Sequence, residues 1–135
     1  MTYQEKKEIL EQYQNSVHRI IGLQRELEEW TTIATNITQK LSVVNVKSGN
    51  SDKIANSAIK CNDIMDIIED EIKNADKERV KVKEIISSCK NYRYQDILTM
   101  IYINGMSVSK LAIECNKDRR LMYKMITTAI NSIEM

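Results

Sequence analysis

Between Ile54 and Cys89, apolar side chains recur in alternating steps of four and three residues. They are Ile54, Ala58, Cys61, Met65, Ile68, Ile72, Ala75, Val82, Ile86 and Cys89, with Arg79 the single violation. That period is helical, and about five heptads of it suffice for a coiled-coil seam. A helix of this length cannot bury its stripe alone. The economical partner is an earlier helix folded back antiparallel against it, giving a helical hairpin.

A suitable earlier helix is present. Thr2-Tyr3-Gln4-Glu5 has the T-x-x-E form of a capping box, in which hydroxyl and carboxylate satisfy free amides at a helix start. Apolar residues then recur at Leu10, Tyr13, Val17, Ile20, Leu27, Trp30, Ala34 and Ile37, flanked by Ile9, Ile21, Leu23 and Ile33. Gln24 and Thr31 interrupt the stripe, and Gly22 lies inside it at a modest cost in helix stability. The helix is expected to end in the middle thirties, where "TTIATNIT" lowers helix propensity. A loop is expected over residues 40–53, "KLSVVNVKSGNSDK", with Ser51 or Asp52 capping the second helix. Leu41, Val43, Val44 and Val46 read as a loop tucked onto the helices in preference to a short strand.

The 135 residues include no proline and only three glycines, and apolar residues seldom alternate with polar ones over strand lengths. The fold class is therefore all-α: a long antiparallel, coiled-coil-like hairpin over residues 1–89, followed by a smaller helical module over residues 90–135. Ile59, Ile64 and Ile85 flank the second helix's stripe and are candidate dimer surface.

In the smaller module, "NYRYQDILTMIYING" presents Ile97, Leu98, Ile101 and Tyr102 on one face and ends at Asn104-Gly105. Tyr92, Tyr94 and Tyr102 read as core and hinge packing. Ser107 caps a short helix with Val108, Leu111, Ala112 and Cys115 inward. Asn116 stands at a sharp turn, where asparagine tolerates a left-handed backbone. Asp118 then caps a last helix running through Leu121, Met122, Met125, Ile126, Ala129, Ile130 and Ile133. A small residue at the crossing (Ala112), a permissive residue four positions later and apolar closure from both sides make a helix-turn-helix. Leu111 and Cys115 would close it against Met122 and Met125. With those inward, Arg119, Arg120, Tyr123, Lys124 and Thr127 project outward, on the surface that such motifs place in the major groove. Arginine suits guanine, while lysine and tyrosine suit phosphates. Lys110 and Lys117 complete the candidate DNA-contacting set.

The pattern over residues 94–133, carried by "ILTMIYINGMSVSKLAIECNKDRRLMYKMITTAI", resembles region 4 of sigma-70-type RNA polymerase sigma factors. "IYINGMSVSKLA" looks like the sigma-type run of apolar helix, Asn-Gly turn and capped helix ending in alanine. The whole chain is similar to small phage- and prophage-encoded proteins of Gram-positive bacteria with a sigma region-4-like C-terminus. That resemblance implies a regulator of phage transcription that reads promoter DNA through its last helix. The hairpin would then form a homodimer or contact RNA polymerase. Asn116 replaces the family's common glycine and Cys115 a larger apolar residue.

Other classes fit poorly. No Ser/His/Asp arrangement, phosphate-cradling glycine loop or metal-ligand spacing occurs, so neither an enzyme nor a bound cofactor or metal is expected. Cys61, Cys89 and Cys115 are unpaired in spacing and read as buried free thiols. The runs "ELEE" and "EDE" read as solubilising helix faces. The charged N-terminus shows no signal peptide and no apolar run approaches membrane-spanning length, so a cytoplasmic location is expected. Residues 91–135 carry six basic and four acidic side chains, a bias that permits nucleic-acid contact without demanding it. The competing expectation is an adaptor that binds a host or phage protein through the hairpin or the helix-turn-helix, without DNA.

Overall fold

The computed structural model describes the backbone of residues 1–43 and 48–134 and the side chains of residues 1–36 and 53–134. Among them are five helices and no strand: α1 (Tyr3–Val43), α2 (Ser48–Ser87), α3 (Tyr92–Tyr102), α4 (Val108–Glu114) and α5 (Arg119–Asn131). The capping box at the start of α1 forms in both directions. The Glu5 amide donates to Thr2 Oγ1 at 3.2 Å, and the Thr2 amide donates to Glu5 Oε2 at 3.0 Å.

Two boundaries differ from the sequence expectation. α1 does not end in the middle thirties. Thr31, Thr32 and Thr35 each donate their hydroxyl to the carbonyl four residues back, at 2.8–2.9 Å. With their hydroxyls satisfied on the helix itself, these β-branched residues slow the helix without stopping it. α2 begins at Ser48, so Ser51 and Asp52 fall inside the helix instead of capping it, and residues 40–43 and 48–53 of the expected loop are helical. Serine and aspartate are favoured as caps, so in sequence they mark a start three or four residues beyond the one the helix takes. The side chains of Leu41, Val43, Val44 and Val46, assigned to the loop, lie outside the described residues.

The chain forms two compact units. One comprises His18–Lys73; the other comprises Met1–Val17 with Asn74–Met135. These units divide each long helix, and neither boundary falls at residues 89 and 90.

In the His18–Lys73 unit, α1 and α2 run antiparallel, with Arg19 Nε 3.4 Å from Glu71 Oε2 and Thr31 Oγ1 4.0 Å from Cys61 Sγ. Ile20, Leu23, Leu27, Trp30 and Ala34 line the α1 side and are half-buried. Because Leu23 and Trp30 complete the three-four spacing, the stripe is continuous; Gln24 and Thr31 lie beside it. On α2 the seam is Ile54, Ser57, Cys61, Ile64, Ile68 and Glu71. This corrects the sequence reading at every second position. Ile64 is 5% exposed, whereas Met65 and Ile72, expected inside, are 51% and 46% exposed. The displaced positions hold polar residues that the fold satisfies: Ser57 donates to Lys53 O at 2.9 Å, and Glu71 faces Arg19. Of the three flank residues nominated as dimer surface, Ile64 is thus core, Ile85 is half-buried and only Ile59 is exposed.

The other unit closes α3, α4 and α5 on the first turns of α1 and the last turns of α2. Its continuous core contains Leu10 from α1, Val82 and Ile86 from α2, Ile97, Leu98, Tyr102 and Ile103 from α3 and its end, Leu111 and Ala112 from α4, and Met122, Ile126, Ala129, Ile130 and Ile133 from α5 and beyond. The seam spacing of α2 continues through Ala75, Glu78 and Val82, so Arg79 violates nothing. Glu78 Oε2 and, on α1, Gln12 Oε1 are buried without a hydrogen-bond partner. A buried oxygen left unmatched is destabilising. Glu78→Leu is therefore expected to raise unfolding stability by about 1 kcal/mol, read as a higher urea midpoint at unchanged slope.

Candidate nucleic-acid interface

The presentation of α5 begins with the end of α3. Gly105 adopts φ +72° after Tyr102, and the amides of Asn104 and Met106 return to the carbonyls of Thr99 and Met100 at 3.0 and 2.9 Å. The left-handed backbone calls for glycine here, and a Cβ on Gly105 would also stand 3.0 Å from the flexible end of Gln14, which would have to shift. Gln14 itself reaches from α1 and donates Nε2 to the carbonyls of Ile103 and Tyr102 at 3.0 and 3.2 Å. It satisfies acceptors that a helix end leaves free.

Ser107 caps α4 by accepting the Lys110 amide at 3.2 Å. The turn after α4 passes through Asn116 at φ 53°, the one left-handed residue other than glycine among the described residues. There the Lys117 amide donates to Ala112 O at 3.0 Å. Asp118 accepts the Leu121 amide at 2.7 Å and caps α5, placing its carboxylate at the favourable end of the helix dipole. Leu111 and Met122 are fully buried where the two helices close, and Ala112 is buried beside them. Cys115, expected inward, is exposed, and Leu121 is also exposed. Closure comes from Leu111 and Ala112 with Met122, Ile126 and the half-buried Met125, because α4 ends at Glu114 and carries Cys115 off the buried face.

Arg119, Arg120, Tyr123, Lys124 and Thr127 are all exposed, and with Thr128 they line one open concavity along α5. Among the described residues, no acidic side chain lines it. The Arg119 guanidinium lies 5.8 Å from the centroid of the Tyr123 ring, an i,i+4 cation–π pair that holds both side chains along the helix. Thr127 and Thr128 donate their hydroxyls to Tyr123 O and Lys124 O. Thr128 was not among the residues expected from sequence, although its position four after Lys124 places it on that face. Lys110 is exposed and Lys117 half-buried, and neither lines the concavity.

α1 also reaches the far end of α5. Lys6 donates Nζ to Ile133 O at 2.8 Å and to Asn131 O at 3.3 Å, placing a cation at the negative end of the helix dipole. Beside α5, Tyr3, Lys7 and Glu11 of α1 join Ile101, Tyr102, Val108, Tyr123, Ile126 and Thr127 around a cleft of about 220 Å³. Burial raises the Tyr102 phenol above the usual tyrosine range, with the Glu11 carboxylate and Tyr3 adding to the rise. Tyr102 therefore remains a neutral phenol. Of the other two tyrosines read as core or hinge, Tyr94 is half-buried and Tyr92 is 81% exposed, since it opens α3 on the outer face.

The thiols also separate. Cys89 is buried, with Sγ 3.1 Å from Ser132 Oγ; Cys61 is half-buried; the exposed Cys115 corrects the expectation of three buried thiols. No group of three His, Cys, Asp or Glu side chains placed to hold a metal occurs among the described residues. No described helix is long and apolar enough to cross a membrane.

The unit that holds α5 carries thirteen basic and ten acidic side chains, against seven and nine in His18–Lys73. The basic excess on the α5 side is thus larger than residues 91–135 alone suggest. Residues 36–134 match a family model described as "Protein of unknown function (DUF1492)". No curated protein and no solved structure matches the chain.

Proposed function

We propose that this chain, which belongs to the DUF1492 family, is a DNA-binding transcription regulator whose last helix, α5, enters the major groove. The observation that carries this reading is the outward face of α5. Two arginines, a lysine, a tyrosine and a threonine stand together on an open surface, held out by a left-handed turn at Asn116 and capped by Asp118. Arg119 and Arg120, in the first turn, are at the end of the helix from which such motifs touch base edges. Lys124 and Thr127, one and two turns on, suit flanking phosphates. The likeness of residues 94–133 to sigma region 4 supports promoter DNA as the target and phage transcription as its setting. It also keeps RNA polymerase as the natural protein partner of the complex on DNA.

The test uses duplexes selected from a random pool by the full-length chain. Arg120→Ala is expected to cost about 1–3 kcal/mol of binding if the side chain reads a base, with discrimination relaxed at one position. Replacing Arg119, Arg120 and Lys124 together should reduce binding on the order of a hundredfold or more. Unchanged affinity in the triple variant, with its melting curve intact, would remove DNA reading from α5. The adaptor reading would then be favoured, because exposed Tyr123, Leu121 and Ile113 give the same module a protein-facing surface.

A further inference from the structure

The nucleic-acid surface does not stop at α5. We infer that the first turns of α1 extend it, with Lys7 meeting the sugar-phosphate strand that borders the α5 groove contact, and Glu11 opposing that contact. This rests on the reading of α5 as the DNA-facing helix. The supporting geometry is a shared boundary. Tyr123 and Thr127 line both the concavity of α5 and the neighbouring cleft, and Lys7, Tyr3 and Glu11 line the cleft from the α1 side. A strand seated along Arg120, Lys124 and Thr127 therefore has Lys7 and Tyr3 as its next neighbours on this compact unit.

Lys7 is available for that role. Its ammonium lies 3.9 Å from Glu11, with both side chains about two-fifths exposed. An exposed i,i+4 pair of this kind is weak and screened by salt, so a phosphate can compete for Lys7. Lys6, one residue earlier, is committed to the carbonyls at the end of α5. The two adjacent lysines thus divide their work: Lys6 holds the recognition helix and Lys7 faces the cleft. Among the described residues, Glu11 is the one carboxylate lining that cleft. Its charge opposes an approaching phosphate and competes for Lys7, so losing it should strengthen binding.

The experiment measures binding of the full chain to a selected duplex and to an unrelated one by fluorescence anisotropy across a salt series. Lys7→Ala is expected to weaken both duplexes alike, by about threefold to tenfold, and to make the log affinity–log salt slope shallower by about 0.9. Glu11→Gln should tighten both by a similar factor. Glu8→Gln removes the same charge from an exposed α1 position outside the cleft and should change little. Thermal melts accompany each variant, and Glu11→Gln keeps the proposal open to test even if Lys7→Ala melts early. Loss of binding in the triple α5 variant, with Lys7→Ala and Glu11→Gln unchanged in affinity and slope, overturns the extension alone. Unchanged binding in the α5 triple overturns the reading of α5 and the extension with it.

Discussion

Residues 90–135 cut from the chain are expected not to fold. The helix-turn-helix elements all lie in that segment, but several of the side chains that complete their core do not. Leu10 is fully buried in the cluster formed by Ile97, Leu98, Leu111, Met122 and Ile130, as is Val82, and Ile86 is nearly so. Truncating one buried aliphatic side chain to alanine costs about 2–5 kcal/mol. Excision removes all three together, along with the Lys6 contact at the end of α5 and the Gln14 contact at the end of α3. A small domain has only about 5–15 kcal/mol of stability in total, and one of this size sits at the low end. The fragment should show a far-ultraviolet spectrum poor in helix and no cooperative thermal transition, whereas the full chain should melt cooperatively. Leu10→Ala in the full chain tests the same contact more gently, with an expected loss of about 2–5 kcal/mol in urea unfolding. A cooperative melt for the fragment would show that α1 and α2 decorate the module without completing it.

This dependence explains what the sequence revealed and what it concealed. Ser107, Asn116, Asp118 and the Asn104-Gly105 turn were legible because each acts within a few residues of itself: a hydroxyl or carboxylate accepts a nearby amide, and a left-handed backbone selects asparagine or glycine. The outward set Arg119, Arg120, Tyr123, Lys124 and Thr127 followed from the same local geometry once Met122 and Ile126 turned inward. Contacts between distant segments left no such signal. Nothing in the spacing of Lys6 or Gln14 announces that they meet residues some 90 to 125 positions later. Cys115 failed for a related reason. A seven-residue helix gives too few positions to fix its buried face, and Cys115, the residue just past its end, points wherever the turn sends it. The end of α1 misled because threonine's helix penalty, below about 1 kcal/mol per residue, is too small to end a helix by itself.

Aspartate at Ile64 is expected to unfold the hairpin, whereas aspartate at Ile72 should be tolerated. Both residues lie on α2, and the sequence pattern favours the opposite assignment, because Ile72 joins an unbroken apolar run while Ile64 stands beside it. The alternatives share Ile54, Cys61 and Ile68 and differ only in whether the next seam position comes three or four residues later. Taking four gathers Ala58, Met65 and Ile72; taking three gathers Ser57, Ile64 and Glu71. Hydrophobicity alone prefers the first set, but polar groups with partners fit a seam as well. Ser57 returns its hydroxyl to Lys53 O, and Glu71 meets Arg19 from the facing helix. Buried among these, Ile64 supplies the apolar contact of its turn, and an unpaired carboxylate there should cost about 4 kcal/mol or more. At Ile72, nearly half exposed, the carboxylate keeps its water and the cost should stay near 0.5 kcal/mol, roughly the range of surface substitutions. Urea unfolding of the full-length variants, followed by helix signal, separates the two registers. Early unfolding of Ile72→Asp with a native curve for Ile64→Asp would place the seam on Ala58, Met65 and Ile72, and the exposed face of α2 would turn with it.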